Sequence, residues 1–195
     1  MLLDFIVEHI AVFQWGVVIG TSLVAAGYDL RQGRIPNALT MPLLAIGLIW
    51  GTWLGGLAGL AESVGACALL ALPYVFLFIF VGGGAGDAKL MGAIGAWLGL
   101  RYGLFALICV IMVGGGLAIA KAVAQKRLKF VLTSVFVSIY AFILFLMGQK
   151  TMRTASYGTD IERHDNLELP YGVAIFTGVS AAAVIVGIWG VEWLW

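Results

Sequence analysis

Charge is what this chain has least of. Only 11% of its 195 residues are Asp, Glu, Lys or Arg, and they sum to a net charge of +1. That leaves no basic face for nucleic acid, and no motif of a nucleic-acid module is visible. Cysteine is nearly absent too. Cys67 and Cys109 each stand alone in an apolar run, without CxxC or Cys/His spacing, so they point to neither a disulfide framework nor a zinc site but to two small buried hydrophobes. The two histidines, His9 and His164, are far apart in the chain. No metal and no cofactor are expected. No Lys or Arg precedes Arg31, whereas Asp4 and Glu8 do, so the positive n-region of a cleavable signal peptide is missing and the first hydrophobic segment is expected to stay in the mature protein.

What the chain has instead is hydrocarbon. Hydrophobic residues make up 62% of it, and its mean hydropathy of +1.05 is far outside the range of soluble domains. A spanning helix needs roughly 20 apolar residues. Runs of suitable length lie at 5–27, 38–55, 61–81 and 171–191. The stretch 88–122 is too long for one span and is punctuated by Gly99, Arg101 and Gly103, which divides it into 88–100 and 102–122.

The segment 130–149 is ambiguous, and charge placement arbitrates. With the N-terminus outside and 130–149 not crossing, Arg31, Arg34, Lys89, Lys121, Lys126, Arg127, Lys129, Lys150, Arg153 and Arg163 all lie inside, against Arg101 alone outside. If 130–149 crosses, the last three move out. The expectation is therefore an all-α polytopic membrane protein with six transmembrane helices. Both termini lie outside the cytoplasm, and 130–149 is interfacial, re-entrant or doubled back; a seventh span is the alternative. The loop 150–169, with Asp160, Glu162, Arg163, His164, Asp165 and Glu168, reads as a solvated stretch of mixed charge.

One stretch breaks the apolar pattern: Gly82-Gly83-Gly84-Ala85-Gly86-Asp87-Ala88-Lys89. Asp87 demands a reason, because an ionisable group near membrane depth is costly and is a functional candidate by default. The one comparable carboxylate is Asp29, in Tyr28-Asp29-Leu30-Arg31-Gln32-Gly33-Arg34-Ile35-Pro36-Asn37 at the end of the first run. On the expected topology both sit at the cytoplasmic edge. Two carboxyls brought to one water share a proton; the ionised one activates the water and the protonated one polarises a scissile carbonyl. Two plainer readings stay open: Asp87 as the N-cap of the helix that follows, and Asp29 paired with Arg31 or Arg34.

Taken together, Asp-Leu-Arg with Arg34-Ile35-Pro36-Asn37, Gly84-Ala-Gly86-Asp87-Ala-Lys89, and Leu169-Pro170-Tyr171-Gly172-Val-Ala-Ile175 resemble the three signature blocks of the type IV prepilin peptidases, a family of membrane aspartic proteases. The likeness covers nearly the whole chain, in order. It implies that Asp29 and Asp87 match the catalytic aspartates and that Gly84 and Gly86 match the glycines of the Gly-x-Gly-Asp motif. It further implies that Lys89, Pro36, Asn37, Pro170, Tyr171 and Gly172 are motif residues around the substrate. The longer members carry a cytosolic domain with paired cysteines that methylates the new N-terminus. Nothing in these residues matches it, so the chain resembles the short, peptidase-only branch serving Flp or tight-adherence pili, and methyl transfer is not expected.

The flanking residues have physical roles. Pro36 holds Ile35 extended and helps turn the chain between the first two runs, and Pro42 and Pro73 are expected to kink theirs. Trp50, Trp53, Trp189, Trp193 and Trp195 are expected to form an aromatic belt at the outer boundary. The whole of 1–195 then reads as a single membrane-embedded aspartic peptidase domain in the inner membrane. Its partners would be membrane lipids and a single-span prepilin, whose basic leader it removes at the cytoplasmic face. Two other readings remain: a related protease with other anchored substrates such as preflagellins, and a small transporter using the acidic pair as a proton or cation site.

Overall fold

The computed structural model describes residues 2–81, 84–124 and 171–189, all of them in four helices apart from the short stretches that join or precede them. These are α1 (Leu2–Gln32), α2 (Asn37–Val81), α3 (Ala85–Ala124) and α4 (Tyr171–Trp189). The segment 130–149, the polar loop 150–169, Pro170, Trp193 and Trp195 lie outside the described residues.

Three of these helices are long and apolar enough to cross a membrane, and α4 adds a shorter apolar stretch, Tyr171–Gly187. Their outward faces match that reading. Val12, Ile49, Leu57 and Met112 are all more than half exposed, an arrangement that suits lipid tails and not water. The chain is a helical membrane protein.

At 45 residues α2 would measure roughly 68 Å if straight, more than twice the ~30 Å of a hydrocarbon core. It does not run straight. Gly56 leaves helical geometry at φ 60°, ψ −141°, and the chain folds back so that Gly59 lies on the backbone of Gly51 and Ser63 Oγ faces the same glycine. The 40-residue α3 breaks in the same way at Gly99 (φ 70°, ψ −172°), after which Gly103 returns against Leu70 and Gly95. Both breaks use a left-handed φ that glycine alone adopts freely.

The helical pieces that result, 37–55, 57–81, 85–98 and 100–124, fall close to the apolar runs read from the sequence. Pro42 and Pro73 both lie within α2, whose non-helical residue is Gly56.

The first arm of α3 is the centre of the bundle: Leu90, Met91, Ala93 and Ile94 have no exposed surface. α3 packs most extensively on α2 and also on α4, α4 packs on α1, and α1 barely meets α2. On α1 the buried residues Trp15, Val18, Ser22, Ala25 and Ala26 recur at three- and four-residue steps, one helical face aimed inward.

Breaking a helix strands its end groups, and the neighbours satisfy them. The Trp97 carbonyl before the Gly99 break accepts from Gln14 Nε2 at 2.7 Å, and the Leu100 amide after it donates to Glu62 Oε1 at 3.4 Å. Glu62, a carboxylate passed over in the sequence, therefore serves as a helix cap. Trp97 Nε1 donates to the Leu43 carbonyl at 2.8 Å, and its ring stacks on Trp50 at 5.9 Å beside Phe13. Trp50 is thus half-buried in an aromatic cluster, while its neighbour Trp53 is 79% exposed.

Candidate active site

The site begins where α1 ends. Gly33, at φ 62°, donates its amide to the Asp29 carbonyl at 2.8 Å and closes the last turn, leaving Asp29 inside the helix. Pro36 then opens α2: its carbonyl accepts from the Leu39 and Thr40 amides at 3.0 and 3.4 Å. Between these two points Ile35 is buried against Gly86 of α3. A β-carbon at position 86 would stand 3.0 Å from Ile35 Cβ and 3.3 Å from its carbonyl oxygen, so a side chain there would push the loop back by a few tenths of an ångström. One turn on, Lys89 Nζ donates to Asn37 Oδ1 at 2.9 Å in an exposed contact. The first two motif blocks, distant in sequence, are one physical unit.

Asp87 is not the N-cap. Gly84 precedes the helix and Asp87 is its third residue, with its amide donating to the Gly84 carbonyl at 3.2 Å. Its side chain is 8% exposed and folds back over Gly84, where a β-carbon would come within 2.7 Å of Oδ2.

Asp29 is held from another direction. The amide of Gly172, in the first turn of α4, donates to Asp29 Oδ2 at 2.7 Å. A helix N-terminus presents unpaired N–H groups and the positive end of its dipole, which suits a carboxylate. The fit is tight: a β-carbon on Gly172 would lie 2.9 Å from Asp29 Cβ and 3.2 Å from Ala26 Cα. Tyr171 is 41% exposed beside it, and Pro170 lies outside the described residues.

The two carboxyls lie within electrostatic reach of each other. Tyr74, on the second arm of α2, is within reach of both Asp87 and Tyr171. Sequence reasoning passed over Tyr74, Gln14 and Glu62; the available signal was the same for each, a polar group alone in an apolar run. Among the described residues no cluster of three or more His, Cys, Asp or Glu side chains could hold a metal ion.

Fold and site together define a class: a helical membrane protein carrying two carboxyls, from separate helices, gathered at one end of its bundle. Residues 16–119, just over half of the chain, match the type IV leader peptidase family, and the chain belongs to that family. It is 34% identical over 115 residues to the prepilin leader peptidase/N-methyltransferase of Burkholderia pseudomallei, a match covering 55% of this chain and 37% of that protein. The protein of the same name from Neisseria gonorrhoeae is 32% identical over 122 residues, covering 58% and 41%. That from Escherichia coli K12 is 35% identical over 106 residues, covering 51% and 47%. The matched region thus spans less than half the length of each of these relatives. No solved structure matches the chain. The family match takes in Asp29, Asp87 and the first two motif blocks but stops before Tyr171 and Gly172, whose place in the site rests on geometry.

Proposed function

We propose that this protein is an aspartic endopeptidase that removes the short basic leader from type IV prepilins. It would do so as a multi-pass inner-membrane protein of six spans with its site facing the cytoplasm, on substrates of the Flp or tight-adherence kind. The observation that carries the reading is that Asp29 and Asp87 come within electrostatic reach of each other in an otherwise apolar bundle, Asp29 held by the Gly172 amide. A buried carboxyl with a second carboxyl at hand suits acid–base work on water.

The chemistry is that of a shared proton. A water between the carboxyls loses one proton to the ionised aspartate as its oxygen bonds to the scissile carbonyl carbon. The protonated aspartate gives its proton to the carbonyl oxygen. The tetrahedral intermediate then collapses, the C–N bond breaks, and the leaving nitrogen takes the proton held by the first aspartate while the second recovers its own. A single-span substrate helix lying beside the bundle would bring its leader junction to this end. Ile35 and the loop packed on Gly86 would form the floor under the extended backbone.

The test is to place Asp29→Asn and Asp87→Asn separately in vesicles with a leader-bearing pilin precursor. Each variant should insert and melt as the parent does, and each should leave the precursor uncut. Normal processing by either one removes the mechanism.

A further inference from the structure

One aromatic hydroxyl beside the pair is left without a task by the mechanism above. Tyr74 belongs to the second arm of α2, which runs antiparallel to the first arm of α3. Along that seam Gly95 lies on the backbone of Ala66 and Cys67, and Gly92 lies on Cys67 and Ala71. The next step along α2 brings Tyr74 to the first turn of α3, where Asp87 is. The ring is buried, at 9% exposure, among the core residues. Its hydroxyl has no hydrogen-bond partner among the described residues, yet it is absent from the sealed, unpartnered polar atoms of the core, namely those of Trp15, Ser22, Thr40, Trp50 and Ser180. It is therefore a donor whose ring is packed in the core beside the first turn of α3 and whose oxygen is not among those sealed there. Asp87 and Tyr171, the residue preceding the amide that holds Asp29, both lie within electrostatic reach of it.

We propose that Tyr74 is a catalytic residue of the peptidase reaction, its hydroxyl donating a hydrogen bond to the scissile carbonyl oxygen as that oxygen gains negative charge. This rests on the endopeptidase reading. No proton leaves Tyr74: the carbonyl oxygen receives its proton from the acid of the pair, and the tyrosine O–H steadies the same oxygen while the C–O double bond opens. Burial strengthens such a bond, and a donor already in place needs no reorganisation during the reaction.

Tyr74→Phe removes one oxygen and keeps the ring that packs the core. Cleavage of a leader-bearing precursor is measured in vesicles for the parent, Tyr74→Phe and Asp87→Asn side by side, with KM, kcat and melting temperature for each. The expected result is a kcat lowered about 100-fold in Tyr74→Phe, with KM changed less than about threefold and melting unchanged. A kcat within about threefold of the parent overturns the proposal, since packing alone would survive the change. A loss that appears wholly in KM also overturns it, because a group acting on the developing charge must act on kcat. If the parent itself leaves the precursor whole, the endopeptidase reading is what fails. If the parent cuts, Asp87→Asn does not, and Tyr74→Phe matches the parent, the role of Tyr74 alone fails.

Discussion

The substitution Gly172→Ala is the sharpest probe of how Asp29 is held. The added β-carbon would meet Asp29 Cβ at 2.9 Å and Ala26 Cα at 3.2 Å. Carbon atoms rest at about 3.5–4.0 Å, so α1 and α4 must part by at least ~0.6 Å. Neither contact can be relieved by rotating a side chain, because one atom belongs to a backbone and the other is bonded to one. Overpacking of this kind destabilises by about 1–3 kcal/mol. The same parting stretches the 2.7 Å bond from the Gly172 amide to Asp29 beyond the usual limit of about 3.2 Å. A reacting group misplaced on the ångström scale loses about 100-fold in rate, equivalent to about 2.7 kcal/mol of barrier.

The expected outcome is thus an enzyme that still folds, less stably by about 1–3 kcal/mol, and processes precursor about 100-fold more slowly. Single-turnover cleavage in vesicles reads the rate, and thermal melting of the same preparation reads the stability. A variant that cleaves within about threefold of the parent and melts at the same temperature refutes the argument, for it would mean that Gly172 does not lie on Asp29.

Two further substitutions separate chemistry from architecture. At Gly84 the added β-carbon meets only the tip of the Asp87 carboxyl, which can swing aside. Gly84→Ala should therefore change melting by less than about 0.5 kcal/mol and lower turnover about 10- to 100-fold; a matched loss of both would show the clash to be structural. Gln14→Leu removes the donor to the Trp97 carbonyl at the Gly99 break. Melting should show a loss of about 1–3 kcal/mol, and an unchanged melting curve would deny the cap its role.

Much of this was legible from composition and spacing, for physical reasons. Lipid imposes long apolar runs on the chain, so the gap between 38–55 and 61–81 and the division of 88–122 were legible from length and punctuation, but not that Gly56 and Gly99 are the residues that leave helical geometry. Asp29 and Asp87 stood out because charge is rare where they are. Lys89 and Asn37 were legible as motif residues, but that one hydrogen-bonds the other was not. Gly172 was legible only as a motif residue. Its amide on Asp29 depends on how α4 docks against α1, and no local pattern encodes that. Tyr74, Gln14 and Glu62 were missed for the same reason: each acts on a helix other than its own. Asp87 as an N-cap was the plainer reading left open, and the structure gives that place to Gly84.

The hydrogen bond between Asp29 and Gly172 joins residues 143 positions apart. A ribosome delivers α1 to the membrane long before α4 exists, and until α4 inserts nothing equivalent to its first amide is there to hold Asp29. On the proposed reading the half-made protein cannot cut, and that capacity arrives only with the closing of the bundle.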